Sequence, residues 1–217
     1  MYTIVRAYEW IADAIMPPRA RVARTRRSSL TTIPLAPTVQ SLHDTSIVTL
    51  FDYKDPIIRD LIQSLKYDSS AHAAALCAEA LAEYLQEEIA SIRLFSTYDI
   101  FILPVPLHTS REHERGYNQI TRILEQLPKP FREGTFSTVD TTILTRTRAT
   151  PPQTKLSRRE RLSNVCDAFD SKKIESIKDS YIFLIDDVTT TGATLLHAGE
   201  PLEKCGAKVI RIALARA

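Results

Sequence analysis

Glycine is scarce in this chain and cysteine scarcer still, with five and three respectively among 217 residues. So few glycines leave no Gly-x-Gly-x-x-Gly string and no Gly-x-x-x-x-Gly-Lys string, which excludes a dinucleotide fingerprint and a P-loop. Cys77, Cys166 and Cys205 lie far apart with no Cys-x-x-Cys pair, which argues against a disulfide scaffold or a cysteine-ligated zinc site and fits a reducing compartment. Long apolar runs are missing too, and the charged, interrupted start Met1 to Trp10 lacks a signal-peptide core, so a cytoplasmic protein without membrane spans is expected. A formal net charge of +2 is too small to imply a polyanionic partner by itself. The 44% hydrophobic and 25% charged content is that of an ordinary globular domain with one substantial core.

Apolar spacing in the chain predicts the elements. Ile4, Val5, Tyr8, Ile11, Ala12 and Ile15 suggest a short helix over 2–15, ended by Pro17-Pro18. Residues 19–45, rich in Arg, Ser and Thr, read as an irregular basic linker, so the chain divides into an arm, 1–45, and a main domain, 46–217. In the main domain a strand at 47–51 precedes helices at 57–65 and 72–92, and the continuous apolar run Ile100 to Val105 reads as a strand covered on both faces. A helix over 117–127 and a short strand at 141–144 follow, then a polar loop to Ser163 carrying Arg146, Arg148, Arg158, Arg159 and Arg161. A strand at 181–185, a helix at 194–205 and a strand at 208–214 complete a crossover unit of a parallel sheet.

The chemistry gathers where that last unit turns. An apolar strand runs into Asp186-Asp187-Val188, then Thr189-Thr190-Thr191-Gly192-Ala193-Thr194 at the start of a helix. In an open parallel sheet such a turn lies at the carboxyl ends of the strands, where ligands bind. A helix start offers main-chain N–H groups to a phosphate, Gly192 allows close backbone approach, and the threonine hydroxyls add donors. Adjacent carboxylates would repel that phosphate but accept hydrogen bonds from vicinal hydroxyls one sugar ring away. A ribose 5-phosphate satisfies both halves. Each piece alone is a common helix cap; the ordered string carries the reading. Paired aspartates after a strand also occur in receiver domains, but near their start, whereas here only one helix and one strand follow.

The string Phe183 to Leu195 resembles the phosphoribosyl pyrophosphate signature of type I phosphoribosyltransferases. From Phe51 onward the chain is similar to the ComF-like (competence protein F) branch of that family. That likeness rests on Leu65-Lys66-Tyr67, Pro104-Val105-Pro106-Leu107-His108, Arg115-Gly116-Tyr117-Asn118-Gln119, Arg146 to Gln153, Leu156, Arg161, Asn164 and Ala168-Phe169. The resemblance implies an α/β fold, a mainly parallel sheet flanked by helices with a mobile hood or loop region. It also implies a diphosphate loop that includes His108, Arg111, Arg115 and Gly116, with Arg115-Gly116 the preferred pair, and a closing loop with Arg146, Arg148, Gln153 and Arg161. Solvated arginines at a helix start and a charged linker are the plainer readings of those two segments. Asp186 and Asp187 take the catalytic positions, and the implied ligand is phosphoribosyl pyrophosphate or a nucleoside monophosphate, with magnesium carried by the diphosphate. Turnover on an unknown acceptor and a non-catalytic nucleotide-binding role in DNA uptake, beside a helicase-like partner, both remain open.

The N-terminus departs from that family. Ala20 and Ala23 follow Pro17-Pro18-Arg19 where the zinc-ribbon cysteines would stand, so no zinc is expected. What remains is a run of Arg19, Arg21, Arg24, Arg26 and Arg27 with no acid between Asp13 and Asp44. It reads as a solvated arm in preference to a contact for single-stranded DNA, since interleaved aromatics are missing. A chain without residues 1–45 is therefore expected to keep its ligand site. A second copy of the chain is a further candidate partner.

Overall fold

The computed structural model describes residues 19–42, 45–107, 116–147, 168–172 and 174–217. The predicted helix over 2–15 and Cys166 lie outside them.

In chain order the elements are α1 (Ala20–Thr25), a 3-10 turn (Leu30–Thr32), β1 (Thr38–Leu42), β2 (Thr45–Asp52), α2 (Pro56–Tyr67), α3 (Ala71–Phe95) and β3 (Ile100–Pro104). There follow α4 (Gln119–Leu124), α5 (Lys129–Arg132), β4 (Thr138–Val139), β5 (Leu144–Arg146), β6 (Phe169–Ser171), α6 (Ile174–Ile177), β7 (Tyr181–Thr189), α7 (Ala193–Lys204) and β8 (Lys208–Arg216). The main sheet has the order β1-β2-β8-β7-β3-β4. Every pairing in it is parallel except the antiparallel contact of β1 with β2.

Both faces of the sheet are covered at its centre, which is why β3 and the first part of β7 read as unbroken apolar runs. Side chains alternate along β7: Phe183 and Ile185 enter one core with Leu61 and Leu65 of α2 and Leu81 and Leu85 of α3, while Ile182 and Leu184 enter the other with Leu195, Ala198 and Leu202 of α7. Helix α2 starts at Pro56, whose missing N–H costs nothing at that position, and Asp55 accepts from the Ile57 amide. Ser70 caps α3 in the same way through the Ala73 amide. Cys77 is enclosed in the first core, and burial pushes its thiol up to about 12, so it stays protonated and unreactive near neutrality.

Three differences from the sequence reading have physical causes. The segment from Arg19 to Thr45, expected to be irregular and solvated, contains a helix and an edge strand. Val22 and Thr25 of α1 are buried, the Thr25 and Ser64 hydroxyls lie 3.2 Å apart, Arg21 forms a two-bond pair with Asp68, and Arg24 forms another with Asp60. Arg19, Arg21 and Arg24, expected to be solvated, find acids in the same chain, Asp60 of α2 and Asp68 immediately after it. Next, the strand expected at 141–144 is β5, at Leu144–Arg146, and it pairs with β6 in a separate two-stranded unit. Last, β7 runs four residues beyond its apolar stretch, because β8 continues to pair with it through Asp186↔Ala213 to Thr189↔Arg216.

Helix α7 is fastened to the sheet by one buried arginine. Arg211 of β8 is 3% exposed; its Nε donates to the Leu195 carbonyl at 3.0 Å, and its Nη1 and Nη2 reach the two oxygens of Glu203, each at 2.9 Å. The guanidinium fits because Gly199 has no side chain: a Cβ there would stand 2.3 Å from Nη2. Gly199→Ala is expected to lower stability by about 1–3 kcal/mol through displacement of that side chain, as read by urea denaturation. An unchanged denaturation midpoint would show that Arg211 moves aside freely.

Candidate functional site

The hollow at the start of α7 is lined by Asp186, Val188, Thr189, Thr190, Thr191, Gly192, Ala193 and Thr194. Its shape comes from Gly192, which precedes the helix with φ +79° and thus holds a left-handed conformation that turns the chain from β7 into α7. Packing as well as φ restricts that position: a Cβ would lie 2.5 Å from Ile47 Cδ1 and 2.8 Å from Leu42 Cδ2. The first-turn amides of a twelve-residue helix therefore face the hollow end-on. Thr191 Oγ1 accepts from the Ala193 amide at 3.4 Å, while Thr189 is buried in β7.

The two carboxylates sit on the last part of β7 and have different surroundings. Asp186 lines the hollow and accepts from the Asp187 amide at 2.8 Å. Asp187 accepts from the Val188 amide with one oxygen, and its other oxygen lies 3.0 Å from the Lys66 ammonium at the end of α2. Burial first, and the neighbouring Asp187 charge second, push the Asp186 carboxyl up to about 7; the bond from the Asp187 amide and the charges of Lys66 and Arg146 act in the opposite direction. Among the described residues no group of three or more His, Cys, Asp or Glu side chains converges as a metal site.

Two further segments leave and return beside this hollow. At the end of β3 the Val105 amide donates to the Ile185 carbonyl at 2.8 Å, immediately before Asp186. The Asn118 side chain returns to the Val105 carbonyl at 3.0 Å and also caps α4 through the Ile120 amide. The expected diphosphate loop thus begins and ends at the neighbour of β7. Of its residues, Gly116 lies in an exposed turn with φ +77°, whereas His108, Arg111 and Arg115 lie outside the described residues. The second segment is closed at its neck by β5 and β6, with Arg146 opposite Phe169 and the Thr147 amide bonded to Ala168. There the Arg146 guanidinium stacks 5.2 Å from the centre of the Phe169 ring, and its charge reaches Asp186. Arg148, Gln153 and Arg161 lie outside the described residues.

Lys66 and Tyr117 received no site role from the sequence. Their only signal was membership of the short strings Leu65-Lys66-Tyr67 and Arg115-Gly116-Tyr117-Asn118-Gln119, neither of which has a periodicity that points to β7.

Two predictions follow from this geometry. A carboxyl whose folded pKa exceeds its unfolded value binds more protons when folded, so its contribution is present below about pH 4 and is lost as pH rises toward about 7. Asp186→Asn removes that decline. The variant is expected to gain stability relative to wild type between about pH 4 and about pH 7 in paired urea denaturations, and a constant difference across that window would contradict the burial of the charge. Leu42, which a chain shortened by residues 1–45 would lose, packs beside Gly192 and so changes the expectation for that chain. Removal of residues 1–45 is expected to lower the melting temperature, as followed by scanning calorimetry, and an unchanged melting temperature would show that β1 does not support this turn.

Comparison with known proteins agrees with this architecture. Residues 115–216 match the phosphoribosyl transferase domain model. The chain is 31% identical over 169 residues to the DNA utilization protein YhgH of Escherichia coli K12, an alignment covering 76% of this chain and 69% of that protein. It is 35% identical over 119 residues to competence protein F of Haemophilus influenzae, covering 54% of this chain and 50% of that one. The adenine phosphoribosyltransferase of Leishmania tarentolae is 15% identical in sequence with a TM-score of 0.39, covering 82% of this chain and 94% of the other, a likeness too slight to argue from. The parallel sheet, the turn from β7 into α7 and these relatives together make the chain a member of the ComF-like phosphoribosyltransferase family, with a type I phosphoribosyltransferase fold.

Proposed function

We propose that the hollow binds the ribose 5-phosphate part of phosphoribosyl pyrophosphate, and that the protein transfers this phosphoribosyl group to a nitrogen acceptor. The observation that carries the reading is the pairing, on consecutive residues, of two carboxylates at the end of β7 with a helix start that opens from Gly192. Amides in the first turn of α7 and the threonine hydroxyls would hold the 5-phosphate. Asp186 and Asp187 would accept from the ring hydroxyls, and their negative charge would favour the positive charge that develops at the sugar's anomeric carbon.

In the reaction the bond from that carbon to diphosphate breaks, diphosphate leaves with the electron pair, and the acceptor nitrogen forms the new bond and gives up a proton. No side-chain nucleophile enters. Positioning and electrostatics supply the rate. Magnesium would arrive with the diphosphate as part of the substrate; the acidic oxygens at the end of β7 are hard donors of the kind that suit it. In this reading the segments that leave at Val105 and at Arg146 would supply the contacts to diphosphate.

The relatives are named for competence and DNA utilization, and we infer a role in the same cellular process, in the cytoplasm. A protein that holds the nucleotide as a signal beside a helicase-like partner would need the same hollow but no acceptor. Incubation with magnesium, phosphoribosyl pyrophosphate and a panel of bases and amines distinguishes the two. Diphosphate release that depends on one acceptor supports transfer, and binding without release supports the non-catalytic role. Asp186→Asn combined with Asp187→Asn is expected to weaken binding of phosphoribosyl pyrophosphate at least about a hundredfold while the fold stays intact. Wild-type affinity in the double variant, measured by calorimetry, would remove the proposal.

A further inference from the structure

The two carboxylates are not equally available to a ligand. Asp187 stands beside a second acid on the same strand and would, left alone, share the cost of placing two negative charges at one strand end. It has a cation of its own: the Lys66 ammonium, 3.0 Å from Oδ2, with both side chains only 17% exposed. Its other oxygen accepts from the Val188 amide, so both oxygens are fixed in direction by donors. A carboxylate accepts about four hydrogen bonds in all, which leaves lone pairs on each oxygen for hydroxyl groups.

Lys66 is itself held in place. It lies in the last turn of α2, and the carbonyl of the preceding residue, Leu65, accepts from the Tyr117 hydroxyl at 2.8 Å. Arg122 stacks 4.6 Å above the Tyr117 ring. Tyr117 immediately precedes Asn118, whose side chain bonds Val105 beside Ile185. The end of α2, the start of α4 and the end of β7 are thus tied around one ion pair. The charged groups acting on the acidic pair are Lys66 from α2 and Arg146 from β5, with Asp186 and Asp187 acting on each other within β7.

We propose that Lys66, seated through Tyr117, is the positioning residue of the ribose half of the site: its ion pair holds the Asp187 carboxylate aimed so that the carboxylate pair can accept vicinal hydroxyls. It acts on the ring, and the helix start acts on the phosphate. This inference rests on the ribose 5-phosphate reading above, and it divides the ligand into two parts that respond differently to one substitution.

The test uses ribose 5-phosphate and inorganic phosphate as probes of the full chain, with binding followed by amide NMR. Lys66→Met keeps an unbranched side chain, shorter by the terminal nitrogen, and removes the charge. It is expected to weaken ribose 5-phosphate about tenfold, the loss of about one well-aimed hydrogen bond to a charged acceptor, and to leave phosphate within about twofold. Lys66→Arg is expected to restore most of the loss. In an Asp187→Asn background, Lys66→Met is expected to add nothing, because its partner charge is gone. Equal weakening of both probes would overturn the proposal and make Lys66 a general attractor of anions. An undiminished loss in the Asp187→Asn background would also overturn it, placing the lysine's action elsewhere. A failure of the site reading itself looks different: the Asp186→Asn, Asp187→Asn double variant would then bind ribose 5-phosphate as wild type does. Thermal melts of each variant separate these outcomes from a loss of fold.

Discussion

Where β7 ends, one backbone turn has to bring a helix start to face two carboxylates, and the left-handed conformation at Gly192 makes that possible. A side chain at that residue would collide with Ile47 and Leu42, so the turn is pressed against β2 and the end of β1. Behind it, Arg211 ties α7 to β8 through the Leu195 carbonyl and Glu203. The hollow is therefore supported from two sides by elements far away in sequence, and the orientation of its amides is set before any ligand arrives. Preorganised donors of this kind bind a charged group without the cost of first ordering the chain.

Opposite those amides, the acidic pair presents a contained electrostatic conflict. Burial raises the proton affinity of Asp186, and the charge of Asp187 on the next residue raises it further. Lys66 offsets this on the α2 side and Arg146 on the β5 side. In the proposed function phosphate would be drawn to one end of the hollow and hydroxyl groups to the other, which would favour a ligand carrying both at the spacing of a sugar ring over either alone.

Much of this was legible in the sequence, for identifiable reasons. Strands covered on both faces leave continuous apolar runs, and Ile100 to Val105 and Tyr181 to Ile185 read directly as such. Helices α2 and α3 showed the apolar period that the sequence reading used. The turn from Asp186 to Thr194 was readable because its chemistry is local, with every residue in one string. What escaped depends on distant partners. Helix α1 has six residues, too few to show a period, and is held by Asp60 of α2 and Asp68 immediately after it. Strand β1 is polar and half exposed because it is an edge, so its pattern gave no apolar run. The extension of β7 through Asp186 and Asp187 follows from its pairing with β8 and not from its own residues. Lys66 lay in a string noted only for its resemblance, since nothing within α2 indicates that its last turn meets the end of β7.

The central claim is that one hollow grips a sugar phosphate at both ends. Its most direct measurement is a two-dimensional amide NMR titration of the full chain with ribose 5-phosphate. The account predicts the largest, saturable shifts at the amides of Thr190, Thr191, Gly192, Ala193 and Thr194, together with those of Asp186 and Asp187. Saturable shifts confined to another surface, with these amides unmoved, would contradict it.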